Sequence, residues 1–472
     1  MRQKLSYIAI LIFLAVGVSF AQQENANDKD QPAPSPDPNT QYNGIGGSIG
    51  SSIFKGKPYL MLGFNPQFEF GKWGIGIDGV VRIGSDGSLR KEDFDELYDV
   101  ARFLNYVRFG KPWDDIYLRV GGIRNATLGH GSIIDNYSNN SSYDNRLIGA
   151  AARLDAGFVG AEGLLSDIFA RGFYSVRGFS RPFHLVPVMA NSWFFRNFEV
   201  GATGSFDFDP DAVRIIPNRS PWVEHYLDTV DGEVTDSLVV VQDSASISSP
   251  LNIVGADVSF MVWQDRNAEG RIYADYVKII DFNEGLIFGA RASFYTDTFT
   301  YWDLRLERHL FKNYFLPNYY NSFYERDKYN DDVSSLDYIT KATRLSDTTS
   351  GEGNGSRFGI FARFNRTVEV AVNYAHLDNL PRADLLEINL TFPEIWWKFF
   401  GSISYQRRNI DGPSDYFKFD DNTLAGARLS FQPFKFIVLS AIARWTFIRD
   451  PETGRTDTQG IIEPKATFIA RF

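Results

Sequence analysis

His130 and Ser132 are the pair whose types and spacing could do chemistry most directly. An imidazole and a hydroxyl two residues apart on a strand share one face, which is the placement a base and its nucleophile need. Asp135 or Asn136 stands close enough in the chain to orient the ring. The surrounding stretch, residues 128–140 (LGHGSIIDNYSNN), supports a different use. Its glycines permit tight turns and its amides and hydroxyls can line a polar path, so His130, Ser132, Asp135 and Asn136 could belong to a loop folded inward to constrict a pore, or to an ordinary external loop. The remaining histidines, His184, His225, His309 and His376, are scattered, with no metal-ligand spacing, and the chain has no cysteine. No metal and no cofactor is therefore expected, and disulfides and thiolate metal sites are excluded.

A second set of chemistry-bearing residues recurs on one parity of alternating segments. It comprises Arg82, Arg119, Arg153, Arg171, Arg291, Arg363, Arg428 and Arg444, with Glu69, Asp78, Asp155, Glu199, Asp257, Glu369 and Glu387. If the opposite, apolar parity faces lipid, these charges line an interior. Mixed charge wets a channel and sets a transverse field across a constriction. The same residues serve equally as paired wall charges with no selective role, because sequence does not say which of them face each other.

The segments that must position these residues read as strands. In residues 59–70, Leu60, Leu62, Phe64, Phe68 and Phe70 oppose Asn65, Gln67 and Glu69. Residues 73–83 repeat the pattern after the two-residue turn Gly71-Lys72. Toward the C-terminus it sharpens: Leu286, Phe288, Ala290, Ala292 and Phe294 oppose Arg291 and Ser293, and Ile437, Leu439, Ala441, Ala443, Trp445 and Phe447 oppose Ser440, Arg444 and Thr446. About a dozen such segments, each about ten residues long, predict an all-β chain closed into an antiparallel transmembrane barrel of about 18 strands, within 16 to 20. Residues 101–109 and 271–280 alternate poorly, and 178–196 has no clear place. Tight connections are expected at Gly71-Lys72, Asn365-Arg366, Phe392-Pro393-Glu394 and Gln432-Pro433-Phe434. Long ones are expected at 84–100, 124–145, 210–250, 309–356, 408–422 and 449–460. Short turns at one end and long loops at the other are the habit of such barrels.

Composition bounds the compartment. Arg2 and Lys4, the apolar run 5–20 and the small residues Ser19 and Ala21 read as a secretory signal peptide over 1–21. Residues 22–40, with Pro32, Pro34, Pro36 and Pro38, read as an extended linker too short for a plug domain, and the barrel occupies 41–472. The chain is 15% aromatic, with 41 Phe, 23 Tyr and 9 Trp, a load that suits rings at two membrane interfaces. Its formal charge of −10 makes nucleic acid an unsuitable partner. The loop after Phe208 is acidic, and the loop after His309 is rich in Tyr and Phe that could stack on sugar rings, pack as a lid or sit at the membrane interface.

The last residues, 461–472 (IIEPKATFIARF), put Phe472, Ala470, Phe468 and Ala466 on one parity and end the chain on an aromatic. This ending resembles the C-terminal signal of bacterial outer-membrane β-barrels, with Thr467 where that pattern usually carries glycine. The resemblance implies integral placement in a bacterial outer membrane, contact with outer-membrane lipid and lipopolysaccharide, and recognition of the C-terminal strand by the barrel assembly machinery; a homo-oligomer is left open. It also implies a porin-like channel for passive diffusion of small hydrophilic solutes or a specific nutrient, without enzymatic activity. Other readings are a transporter of hydrophobic compounds, or a structural or adhesive barrel working through its loops. A third follows from the His-x-Ser spacing of His130 and Ser132, which resembles that of outer-membrane lipid hydrolases.

Overall fold

Alternation forces one face of each strand to be apolar, and a sheet with an oily face can hide its edges only by closing on itself. The computed structural model describes residues 43–471 except for short internal stretches, the longest being 211–221, 242–249, 329–340 and 346–352. The expected signal peptide, the linker and Phe472 lie outside the described residues, as do Arg171 and Arg366. Consecutive strands pair antiparallel, and Gly44–Phe54 pairs with Thr456–Arg471 to close the ring. Two staves are each broken once: Lys57–Phe64 and Gln67–Phe70 by Asn65-Pro66, and Trp73–Ile77 and Gly79–Gly84 by Asp78. Counting each broken stave once, the described residues form a closed barrel of 20 strands, the upper end of the expected range. A hairpin, Trp222–Val230 with Glu233–Val241, stands outside it as a separate two-stranded sheet within the long acidic loop.

The apolar parity faces outward. Leu60, Leu62, Leu286, Phe288, Leu306, Leu429, Leu439 and Ile462 are all exposed on the outer surface. At one end the exposed side chains turn aromatic: Phe70, Trp73, Trp263, Phe299, Phe399, Phe434 and Phe468. A ring of aromatics at a barrel rim marks a membrane interface. This end carries the tight turns, such as 71–72, 265–267 and 435–436, and the opposite end carries the connections 85–103, 122–148, 208–250, 312–352 and 411–422. One turn-end connection is long: residues 181–198 hold three single helical turns, Pro182–Leu185, Pro187–Ala190 and Trp193–Arg196. This is the place of the segment that the alternation pattern could not assign.

Two expected turns move. Asp384–Ile395 runs through Pro393, and Thr423–Phe434 runs through Pro433. In both the register slips, between Phe392 and Ile395 and between Phe431 and Phe434. Proline lacks the ladder N–H, so it produces a bulge inside the strand, and the chain reverses a few residues later. The weakly alternating 271–280 lies in the strand Ala268–Ile279, and the cause is visible. Its inward residues Val277 and Ile279 are apolar as well as its outward Ile272, because the interior at that height is not water but packed protein.

Candidate functional site inside the barrel

The packed interior comes from two loops. Residues 123–142 and 315–328 fold in from the loop end and run beside each other, with Ile134 bridging Tyr320 in parallel. Asp135 N donates to Tyr320 O at 3.0 Å, Tyr320 N to Ile133 O at 3.0 Å, and Asn318 N to Ser132 O at 2.9 Å. Between them lies an aromatic cluster of Tyr137, Phe173, Phe315, Tyr319, Tyr320 and Tyr324, each at most 1% exposed. Phe173 stacks on Tyr320 at 3.9 Å. The rings after His309 that could have stacked on sugars or formed an outer lid are therefore spent, among the described residues, on packing inside the barrel.

Loop 123–142 is tied to strands spread around the wall. Gly129 N donates to Glu162 Oε2 at 3.1 Å. His130 Nδ1 lies 2.8 Å from Asp275 Oδ1, and its ring stacks on Tyr273 at 4.3 Å. Asp135 accepts from Thr127 Oγ1 at 2.8 Å and pairs with Arg305 at 3.4 Å and with Arg357. Asn136 Nδ2 donates to Glu387 Oε1 at 2.5 Å, and Ser142 Oγ donates to Phe447 O at 2.8 Å. Gly129 and Gly131 hold φ of +57° and +86°, and a side chain at either would strike Arg177 or Asp135. The tight reversal around His130 therefore requires glycine on both sides.

This geometry does not contain the base–nucleophile pair. Residues 129–133 form turns and bends, not a strand, so His130 and Ser132 have no shared strand face, and the imidazole is engaged by Asp275 instead. Sequence spacing suggested the pair because it presumed extended backbone, which the positive φ of Gly131 breaks.

The wall charges divide into two groups. One is buried and mutually paired. Arg177 holds Asp257 at 2.6 Å and Glu199 at 2.8 Å; Arg153 meets Asp155 at 3.0 Å; Arg305 meets Glu307 at 2.6 Å. Arg82 reaches Glu463 at 2.9 Å and Asp93 at 3.1 Å, Arg291 meets Asp303 at 2.8 Å, and Arg363 meets Glu369 at 2.7 Å. The other group is a cluster rich in cations. Arg124 feels most strongly the charges of Arg444, Arg119, Asp78 and Arg428. Arg444 feels Glu463, Arg428, Arg146 and Asp78, and Lys465 feels Asp78, Glu463, Arg428 and Arg444. Six cations thus lie around Asp78 and Glu463, and Glu463 also serves Arg82. Arg124 is exposed and the other five cations are half-buried, so each keeps accessible surface. Enclosure, and after it Arg444 and Arg119, push the Arg124 guanidinium down to about 10, which leaves it a cation at neutral pH.

Of the residues expected to line an interior, Arg119, Arg428, Arg444 and Asp78 are brought together in this cluster, whereas Arg82, Arg153, Arg291, Arg363, Asp257, Glu369 and Glu387 sit in local pairs or contacts. Sequence reasoning missed Arg177, Arg305, Arg357, Asp275, Arg124, Arg146 and Lys465. A usable signal existed in Tyr301–Phe311, where Asp303, Arg305, Glu307 and His309 alternate with Trp302, Leu304, Leu306 and Leu310.

No family model matches the chain, and no curated protein is similar to it in sequence. Its fold is similar to those of solved outer-membrane β-barrels. Wzi of Escherichia coli, described as a carbohydrate-binding β-barrel involved in group 1 capsule assembly, is 13% identical with a TM-score of 0.35, over 91% of this chain and 85% of that one. OccK11 (OpdR) of Pseudomonas aeruginosa is 9% identical with a TM-score of 0.31, over 91% and 95%. OmpT of Vibrio cholerae, an outer-membrane protein, is 6% identical with a TM-score of 0.27, over 90% and 96%.

Proposed function

We propose that the protein is an outer-membrane channel, narrowed by its two in-folded loops, that passes small hydrophilic solutes and prefers anions. The observation that carries this reading is the gathering of Arg119, Arg124, Arg146, Arg428, Arg444 and Lys465, each with accessible surface, in one part of the barrel. A ring of 20 strands is wide enough to hold an aqueous path, since barrels of 16–18 strands already do. The inward loops reduce that path instead of leaving it open, which suits a selective channel more than a general one. Cations around low-dielectric walls concentrate anions and slow cations. Nothing in this mechanism breaks or makes a bond: the wall supplies wetting and charge, and the loop supplies the constriction.

The test is single-channel recording of the folded protein in a planar bilayer under a salt gradient. Stable open steps with a reversal potential of the sign expected for anion preference support the reading; cation preference sinks it. One observation favours a second reading, a closed barrel that works through its external loops. Loop 123–142 is tied to the wall at Glu162, Asp275, Arg305, Arg357, Glu387 and Phe447, with an aromatic core beneath it. A folded, heat-modifiable barrel that never conducts would support that reading instead.

A further inference from the structure

Asp257 and Asp275 are cross-strand partners, directly opposite on the neighbouring strands Leu251–Gln264 and Ala268–Ile279, and both point inward. Like charges in that relation destabilise a sheet unless something answers them. Arg177 answers Asp257, with contacts of 3.0 and 2.6 Å to its two oxygens. Among the described residues, Asp275 has no such guanidinium. It is 2% exposed, its Oδ1 faces His130 Nδ1 at 2.8 Å, and its Oδ2 is buried without a hydrogen-bond partner. A desolvated carboxylate oxygen with no donor is costly.

We propose that His130, Asp257 and Asp275 form a site for a zinc-like divalent cation that fastens the in-folded loop to the barrel wall. One ligand atom from each residue can be chosen so that all three lie within 4.8 Å of one another, close enough for a single ion to reach each. One imidazole and two carboxylate oxygens match the donors zinc takes at about 2.0–2.2 Å, and three protein ligands leave a fourth position for water or a solute oxygen. Arg177 then holds both oxygens of Asp257, as ligating carboxylates are usually held, and each oxygen keeps a further lone pair for the ion. His130 is delivered to the pair by several independent constraints: the positive φ of Gly129 and Gly131, the stack on Tyr273, and the bond from Arg305 to the His130 carbonyl oxygen. No metal was expected from the sequence, because these ligands are separated by more than a hundred residues on one side and share a site only through strand pairing. The proposal stands whether or not the lumen conducts.

The test uses the full folded chain in detergent, stripped with a chelator and titrated with Zn²⁺ by equilibrium dialysis, with Co²⁺ absorption as the spectroscopic readout. His376→Ala serves as the background, because the exposed His376 stands between Asp378 and Asp384 and offers zinc a surface alternative. The expected result is one Zn²⁺ per chain in that background, with affinity falling at least about tenfold in His130→Ala and in Asp275→Asn. Asp275→Asn removes the opposed charge and so keeps the fold. Absence of stoichiometric binding, or an affinity in both variants equal to that of the background, would overturn the proposal.

Discussion

Asp135 shows how much a single buried residue decides here. It is 2% exposed and takes Thr127, Arg305 and Arg357 at once. Arg305 keeps Glu307 if Asp135 is lost, but Arg357 loses its carboxylate while 4% exposed. Removing one partner of a buried ion pair costs about 3–5 kcal/mol, so Asp135→Ala should lower the denaturant midpoint of the folded barrel clearly. Asp420 offers the contrast. It accepts from Arg407 at 2.7 and 2.9 Å in the external loop 411–422 but is 43% exposed. Arg407 is buried as Arg357 is, but Asp420→Asn keeps an amide oxygen that can accept from it, so the substitution should cost less than Asp135→Ala by the same measurement. Its hydrogen bonds from Arg407 hold its carboxyl below the usual range. The sign follows: the pair's stabilisation is complete above the ordinary carboxylate pKa and is lost as pH falls through the lowered one. Loop 411–422 should thus become more protease-sensitive only in acid, below about pH 4, and Asp420→Asn should abolish that pH step.

The inward loop is the element that separates a wide barrel from a narrowed one. Replacing residues 127–137 by a short Gly-Ser link should leave the 20-strand ring heat-modifiable, since none of those residues is in a barrel strand. On the channel reading, conductance should rise several-fold; an unchanged conductance would mean the path avoids the loop. The strands themselves were legible wherever one face meets lipid and the other water. They were obscured in two physical situations. Val277, Ile279, Ile253 and Ile287 face inward yet are apolar, because they pack against the loops, so period-two contrast fades there. Pro393 and Pro433 look like turns but make bulges, because a turn and a bulge tolerate the same missing N–H.

Closure, strand direction and the outward apolar surface follow from alternation and connection length, both local properties of the chain. The interior does not, because its partners come from distant strands: Arg82 meets Glu463, Asn136 meets Glu387, and Arg177 meets Asp257. Listing inward charges found Arg428 and Arg444 but could not show that Arg124, Arg146 and Lys465 join them. The formal charge of −10 likewise hides a local gathering of cations inside the barrel. The measurement that tests the account most directly is the reversal potential of the protein in a planar bilayer, compared with that of Arg124→Gln/Arg444→Gln. Anion preference is expected in the native protein, with a shift of several millivolts or more toward cations in the double variant. A cation-preferring native pore, or a selectivity the two substitutions do not move, would contradict it.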